Sequence, residues 1–405
     1  MRSLLLGALL LCAAPARALF DATEMDVIDV EPKLDTEYFL HTLVFSYPGA
    51  WDQLWDAASS TTPAYRINAA SLDCCSLLLQ QDLRLRKVLT RGLDFKFRLL
   101  QDEDKEHQFF HYQLELEQKL GLGFSASLFG EPTFRKEDSD IGFGLAYAPS
   151  ADLRASARHT FVDFNFNKRG STTQRYETTP ATDEVSLEAR AGPEWRAAAY
   201  LMVDSPLRRD VPDENRTFSY RRTDVDLSLS HEPAGRWSRR LSYGYEFEAK
   251  GDLFDPAPAG KVSVAARKQM HRVLLAAAGA LGERGRLELG HQLILRAARA
   301  DYAQSPDAGI FYRRWEAQPY ARWRQDLKPW LTSELAGFLS FGENRQRGAN
   351  TAPSFFHTVV EATLGAGCDF VFSPSGRIGV YGTFDLDAIA SHFWDGGNVR
   401  AMFLF

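Results

Sequence analysis

The chain has 405 residues with 53 acidic and 47 basic side chains, and its net charge of −6 argues against a nucleic-acid partner. One of the four cysteines lies in the apolar run at the N-terminus, and the three that remain do not make a disulfide framework; none are spaced as a zinc site requires. Apart from the N-terminus, no stretch approaches the ~20 apolar residues of a transmembrane helix.

The N-terminus has the three parts of a secretory signal peptide. Met1-Arg2 supplies the positive charge, Leu4 to Ala14 the apolar run, and Ala16-Arg17-Ala18 the small-residue cleavage site. The apolar run is too short to span the ~30 Å hydrocarbon core of a bilayer. We predict that residues 1–18 are removed after Ala18, which leaves a mature chain with a net charge of −8.

Residues 19–63 show no strand-like alternation. Phe39, Leu40, Leu43, Val44 and Tyr47 could share one face of a short amphipathic helix. Two interpretations stay open for this segment. It is either a periplasmic N-terminal segment or a small plug inside the structure that residues 64–405 form.

From about residue 92, apolar and polar residues alternate with a period of two in run after run. Examples are residues 93–99, 110–117 and 241–248. Each run is close to the 9–11 residues with which a tilted strand crosses a bilayer. A helix would need apolar residues three and four apart, so the pattern predicts strands.

The connections alternate in length. Tight turns near Gly121, Gly192-Pro193 and Asp326-Leu327-Lys328 are separated by longer polar loops such as 204–216 and 250–267. Short turns alternating with long loops are typical of transmembrane barrels. Pro319 lies within one of the alternating segments and has no backbone N–H to donate to a neighbouring strand. We therefore expect a bulge or a break there.

Counting strands back from the C-terminus gives the predicted fold. Sixteen strands reach residue 93, and Leu78–Val88 and Tyr65–Leu72 would add two more. We therefore predict an all-β protein in which residues 64–405 form a transmembrane antiparallel up-and-down β-barrel. We expect eighteen strands, with sixteen as the alternative.

The alternation also predicts which side chains face the lumen. A charge on the lipid face costs ~2–4 kcal/mol near the midplane, so the charged positions of each run must face inward. The predicted pore lining is Lys96, Arg98, Glu115, Glu117, Asp224, Asp226, Glu246, Glu248, Arg286, Arg296, Arg314, Glu316, Arg322 and Arg324. The arginines of the C-terminal half could attract anionic solutes.

No catalytic or metal-binding motif is present in the sequence. Ser156, His159 and Asp163 are close in the chain but match no nucleophile motif. His107 and His111 would lie ~13 Å apart on a strand at ~3.3 Å per residue, too far to share a metal. We therefore predict no enzymatic activity, no cofactor and no metal.

The C-terminal residues Val399–Phe405 alternate and end on phenylalanine. With the outward set Val399, Ala401, Phe403 and Phe405, this segment resembles the closing strand of bacterial outer-membrane β-barrels. In that class the last strand is the assembly signal read by the barrel-assembly machinery. The resemblance implies a location in the outer membrane of a Gram-negative bacterium, in contact with its lipid.

The resemblance is to the porin-like class as a whole and to no subfamily. It implies a passive channel or export pore for small hydrophilic solutes, anionic ones included, because barrels of this strand number leave an aqueous interior. The alternative is a non-conducting scaffold or surface-binding barrel in the same membrane, since a fold does not settle a function.

Overall fold

The structure is a computed structural model that describes residues 62–72, 76–103, 108–131, 139–164, 175–234, 237–256, 263–302, 310–348, 355–386 and 394–405. The predicted signal peptide and nearly all of the 19–63 segment lie outside these residues. Within the described ranges, no helix is long and apolar enough to cross a membrane.

Antiparallel strands follow one another around a single sheet, each paired with its neighbours in the chain. They are β1 (Ala64–Leu72), β2 (Ser76–Thr90), β3 (Leu93–Glu103), β4 (Gln108–Gly121), β5 (Phe124–Glu131), β6 (Asp140–Ser150), β7 (Leu153–Phe161), β8 (Arg175–Tyr176 and Ala181–Ala191), β9 (Trp195–Asp204 and Leu207–Val211), β10 (Arg216–His231), β11 (Ser238–Phe254), β12 (Val264–Leu281), β13 (Gly285–Tyr302), β14 (Ile310–Lys328), β15 (Leu331–Gly348), β16 (Phe355–Ser373), β17 (Gly376–Asp385) and β18 (Trp394–Leu404). Two of them, β8 and β9, are each interrupted once.

The sheet closes on itself. β1 pairs with β2 on one side and with β18 on the other, in a register that runs from Ala64 opposite Leu404 to Leu72 opposite Gly396. The Phe405 amide then donates to the Pro63 carbonyl at 2.9 Å. No sheet edge is left unpaired at this seam. The predicted antiparallel barrel of eighteen strands is confirmed, and the sixteen-strand alternative is wrong.

The two faces of the sheet have opposite character. Large apolar side chains such as Leu145, Leu229 and Val380 are about half exposed on the outside. The inward positions carry polar side chains, and Asn68 and Asn398 are buried there. A soluble protein shows the reverse arrangement, so the outer face is one that requires lipid.

The connections sort by length between the two ends of the barrel. Two- or three-residue turns, such as 91–92, 122–123 and 374–375, lie at one end together with Pro63 and Phe405. We call it the short-turn end, and the opposite end the long-loop end. The strands from β10 to β16 are 16 to 19 residues long, which is more than a bilayer crossing needs.

Three local predictions are wrong. The expected 204–216 loop is mostly strand, and a single 3-10 turn over Pro212–Glu214 makes the connection, with Asn215 in the left-handed conformation. The predicted turn at 326–328 lies inside β14 as a bulge. Pro319 neither bulges nor breaks β14, because the register to both neighbours is the same on its two sides. Its fixed φ is compatible with a strand, so only ladder bonds are lost locally.

We predict that the two faces of β10 tolerate charge very differently. Leu227→Arg places a guanidinium in lipid and should lower the free energy of unfolding by ~2–4 kcal/mol. Ser228→Arg, one residue along, faces the lumen and should cost much less. Denaturant titration of the protein folded into lipid vesicles measures both. Equal losses for the two variants would mean that the assigned faces are reversed or that neither meets lipid.

Candidate functional site: the lumen wall

The strand register places the predicted lining residues on one face of the sheet. All fourteen lie on the sheet face opposite the exposed apolar side chains, as Arg322 and Arg324 do on either side of Trp323: Lys96, Arg98, Glu115, Glu117, Asp224, Asp226, Glu246, Glu248, Arg286, Arg296, Arg314, Glu316, Arg322 and Arg324. The inward positions are alike in polarity but not in exposure. One part of the wall meets solvent and another does not.

On β3 and β4 the inward charges pair across strands, and most of them stay in contact with solvent, whereas Asp94 is buried. Lys96 Nζ lies 3.1 Å from Glu115 Oε1 and 2.5 Å from Glu117 Oε2. Arg98 lies 3.1 Å from the Asp82 carboxylate and keeps a third of its side chain exposed. The partly exposed Lys96 pairs contribute little to stability, but together with Arg98 they make a hydrophilic surface inside the barrel.

β10, β11 and β12 form a second solvent-exposed charged surface. Arg222 pairs with Asp224 at 2.7 Å, and Lys268 lies 3.6 Å from Glu246. Further along the wall, the Asp226 side chain is 60% exposed and lies 3.9 Å from Arg272. We call the solvent-exposed, lumen-facing charged residues of β3, β4 and β10–β12 the accessible wall.

A glycine between two of these charges allows them to approach. Gly244 is the register partner of both Asp226 on β10 and Arg272 on β12. A Cβ at Gly244 would lie 3.1 Å from Asp226 Oδ1 and 3.2 Å from Arg272 Nε. The missing side chain therefore leaves room for an acid and a base over the middle strand.

The inward face of β14–β18 and β1 is buried, and we call it the covered wall. Glu316 and Gln318 on β14 have no exposed surface. Glu316 forms an ion pair with Arg314 and accepts a hydrogen bond from Gln318 Nε2 at 2.9 Å. Buried charges are stable only when paired in this way.

At the short-turn end of the covered wall, three guanidinium groups share two carboxylates. Arg322 and Arg324 lie 2.5 and 3.3 Å from Glu334, and Arg324 and Arg400 lie 3.2 and 2.9 Å from Asp369. We call these five residues the arginine cluster. No sequence motif marks Glu334, Asp369 or Arg400, although the period-two alternation along β15, β16 and β18 is a signal that places all three on the inward face.

A second glycine makes the arginine cluster possible. Gly379 on β17 lies between Asp369 on β16 and Arg400 on β18 in the register. A Cβ there would lie 2.3 Å from Asp369 Oδ1 and 2.8 Å from Arg400 Nε, closer than any real contact. The strand in the middle must therefore carry glycine for the two outer strands to pair their charges.

At the long-loop end, hydrogen bonds tie the β7–β8 connection to the rim. The Tyr176 hydroxyl donates to Asp163 at 2.6 Å, and the Asp163 amide donates to Asp140 at 2.8 Å. Burial, followed by the Asp163 charge, raises the pKa of the Tyr176 hydroxyl, so it stays protonated and keeps donating. Tyr176 also packs with Leu207 and Phe218.

The residues considered for catalysis do not meet. His159 lies outside the lumen and contacts Asp183 through Nδ1 at 2.7 Å, whereas Ser156 faces inward and bonds Ser186 at 2.6 Å. Asp163 contacts Tyr176 instead. In the described part of the chain, no group of three or more His, Cys, Asp and Glu side chains could hold a metal ion.

The C-terminal strand has the alternation that its sequence predicts. Val399 is half exposed on the outside, and Phe403 stacks on Tyr65 of β1 with ring centroids 6.5 Å apart. Ala401 is paired with Ile67 and Ile378 and is covered, while Phe405 is exposed at the barrel end. The outward set thus lies at the seam where the barrel closes.

No protein-family model matches the chain, and no curated protein matches it significantly. Among solved structures, it is similar to OccK5 (OpdH) of Pseudomonas aeruginosa, with 14% identity and a TM-score of 0.40 over 85% of this chain and 97% of that one. It is also similar to an anion-selective porin from Comamonas acidovorans, with 12% identity and a TM-score of 0.38 over 85% and 98%. A loop-deletion mutant of OmpT, an outer membrane protein of Vibrio cholerae, matches with 9% identity and a TM-score of 0.40 over 85% and 97%.

Likeness at this level concerns the fold alone. The closed pairing of β1 with β18, the even number of strands, the outward apolar face and the segregated connections are features of the chain itself. They make the protein a transmembrane β-barrel of the Gram-negative outer-membrane type.

We predict that the arginine cluster stabilises the barrel far more than an exposed ion pair does. Asp369→Asn removes a buried carboxylate that two arginines share and should cost ~3–5 kcal/mol. Asp301→Asn, which breaks the exposed pair with Arg299 at 2.8 Å, should cost less than ~1 kcal/mol. Denaturant unfolding in detergent or lipid compares the two. A loss for Asp369→Asn as small as that for Asp301→Asn would contradict the prediction.

We also predict that deleting Phe405 impairs assembly in cells while leaving refolding in vitro intact. Phe405 is exposed, and only its backbone amide bonds the described part of the barrel, so its loss removes little folding energy. The outer-membrane yield of the variant, compared with its refolding yield from denaturant, separates the two effects. Normal cellular yield would show that the terminal residue is no assembly signal here.

Proposed function

We propose that the protein is a passive channel or export pore for small hydrophilic solutes in the Gram-negative outer membrane, with the accessible wall lining the water path. One observation carries this proposal. Asp226 and Arg272 lie inside a closed barrel, yet solvent reaches both, and more than half of the Asp226 side chain is exposed. This exposure supports a water path along the accessible wall.

The chemistry of the accessible wall favours polar solutes of either charge. Carboxylates at Asp224, Asp226 and Glu246 face basic groups at Lys268 and Arg272 across neighbouring strands. Paired charges of both signs offer hydrogen-bond donors and acceptors without a strong field of one sign. An apolar solute would have to displace water from these groups without replacing their hydrogen bonds.

The arginines that the sequence suggested for anion attraction are mostly engaged elsewhere. Arg314 pairs with Glu316, and Arg322 and Arg324 pair with Glu334, all on the covered wall. Buried and paired guanidinium groups offer little to a passing anion. The proposal is therefore a channel of weak charge selectivity, not an anion-specific one.

A second candidate function is a non-conducting scaffold or surface-binding barrel. The covered wall favours it, because part of the interior is not lined by water. The two functions differ in one measurable property. A channel passes ions through single molecules in a planar bilayer, and a scaffold inserts without conducting.

The test is the conductance of the purified, refolded protein in a planar bilayer. We expect discrete steps. Asp226→Asn should lower the permeability of cations relative to anions by roughly twofold at low salt, because a lumenal charge attracts counter-ions and salt screens it. Asp301→Asn is the matched control, since it removes the same charge from the outer face at the long-loop end. Insertion without current, or equal shifts in both variants, would contradict the proposed channel.

A further inference from the structure

The burial of the covered wall requires an occupant inside the barrel. Glu316, Gln318 and Thr383 have no exposed surface, and Arg400 and Met402 are 1% exposed. These side chains project from the inner face of a single sheet, which is open to the lumen unless something lies against it. An eighteen-strand barrel is too wide for its own wall side chains to meet across the middle.

The polar groups of this wall also lack partners on the sheet. The hydroxyls of Ser340, Tyr381 and Thr383 are more than nine-tenths buried and have no hydrogen-bond partner among the described residues. Buried hydroxyl groups in proteins are nearly always hydrogen-bonded. The occupant must therefore offer polar groups or hold water in front of the wall.

The charge of the wall calls for an anionic occupant. The arginine cluster contains three guanidinium groups and two carboxylates and carries one net positive charge while buried. Next to it on β1, Arg66 lies 3.8 Å from the buried Asp82 carboxylate, which Arg84 and Arg98 also contact, so guanidinium groups outnumber carboxylates here as well. A buried excess of positive charge is costly unless negative groups lie near it.

One segment of the chain has the required composition. Residues 19–61 contain nine acidic residues and a single lysine. Residues 62–405 contain equal numbers of acidic and basic residues, 44 of each. After the predicted signal peptide, the whole net negative charge of the protein is therefore concentrated in this one segment.

The segment also joins the barrel at the right place. It leads into Pro63 and Ala64, which pair with Phe405 and Leu404 at the short-turn end. Arg66 lies two residues further on, and Arg400 is five residues from the C-terminus on the adjoining strand. The long loops are at the opposite end of the barrel. At ~3.3 Å per extended residue, 43 residues are more than long enough to cross the lumen.

We propose that residues 19–61 lie inside the barrel as an acidic plug, with their carboxylates against the arginines of the covered wall. The accessible wall stays free beside the plug. This inference goes beyond the proposed channel and does not depend on it, because the plug would occupy a silent barrel equally well.

Accessibility of a lumenal cysteine tests the plug. In a chain that begins at residue 19, Cys74, Cys75 and Cys368 are replaced by serine, and a specific protease site is inserted after Thr61. Ser340→Cys then reports on the covered wall with minimal change of shape, and Asp226→Cys reports on the accessible wall. The refolded barrels react with a charged, water-soluble thiol reagent before cleavage, and again after cleavage and a urea wash that removes the segment.

In the intact chain, Ser340→Cys should react at least about tenfold more slowly than Asp226→Cys, because labelling must await local opening of the plug. Removing the segment should raise the Ser340→Cys rate about tenfold or more and leave the Asp226→Cys rate unchanged. A gel-shift assay for the folded barrel after the wash confirms that the strands have not opened.

Two results would overturn the proposal. Equal rates in the intact chain would show that the wall is not covered. A Ser340→Cys rate that stays low after the segment has left a folded barrel would show that the long loops or another molecule cover the wall. Because labelling is measured without current, failure of the plug and failure of the channel remain distinct results.

A charge variant tests whether the carboxylates of residues 19–61 hold the segment against the covered wall or whether the segment is only enclosed by the barrel. Changing all nine acidic residues of 19–61 to their amides should raise the Ser340→Cys rate in the uncut chain about tenfold, because the buried arginines lose their counter-charges. Changing the exposed pair of Glu177 and Arg208 to Gln and Met is a control that leaves the segment intact. No effect of the nine-residue change would contradict the proposed role of the carboxylates.

Discussion

Within a bilayer every backbone N–H and C=O must be satisfied by the protein itself, since no water is present to do so. Here the requirement is met because β1 and β18 pair along the full length of β1. Without that seam, β1 and β18 would each present a row of unpaired groups to lipid. Because the seam pair is antiparallel, the number of strands is even, and both ends of the described chain therefore lie at the short-turn end.

The division of the side chains follows from closure. Once the sheet is a cylinder, successive residues face lipid or lumen in turn, and a charge has only one tolerable side. Charges on the outer face, such as Arg299 and Asp301, lie at the long-loop end, whereas the charges within the span collect in the lumen and form cross-strand ion pairs such as Lys96 with Glu115. The glycines at 244 and 379 show how the register accommodates charged side chains two strands apart.

The lumen is not uniform, and this asymmetry connects its architecture with function. On the accessible wall, acids and bases balance one another in contact with water, as a path for polar solutes requires. On the covered wall, the arginine cluster is buried with an excess of positive charge close to where the acidic segment joins β1. A plug along one side and a water path along the other would satisfy both sets of observations.

The amino-acid sequence by itself determined the fold class, favoured eighteen strands over sixteen and predicted an inward set of charges. Period-two alternation is a local property of the chain. Because one face of the sheet meets lipid, the charged positions must lie on the other face, as Arg322 and Arg324 do on either side of Trp323. The bulge at 326–328 and the unbroken strand at Pro319 were not predictable, because pairing with neighbours decides how a strand absorbs an irregularity. Only the tertiary structure brought Glu334, Asp369 and Arg400 together. They lie on three strands, and the register of a closed sheet, which no local pattern encodes, sets which charges meet and which of them water can reach.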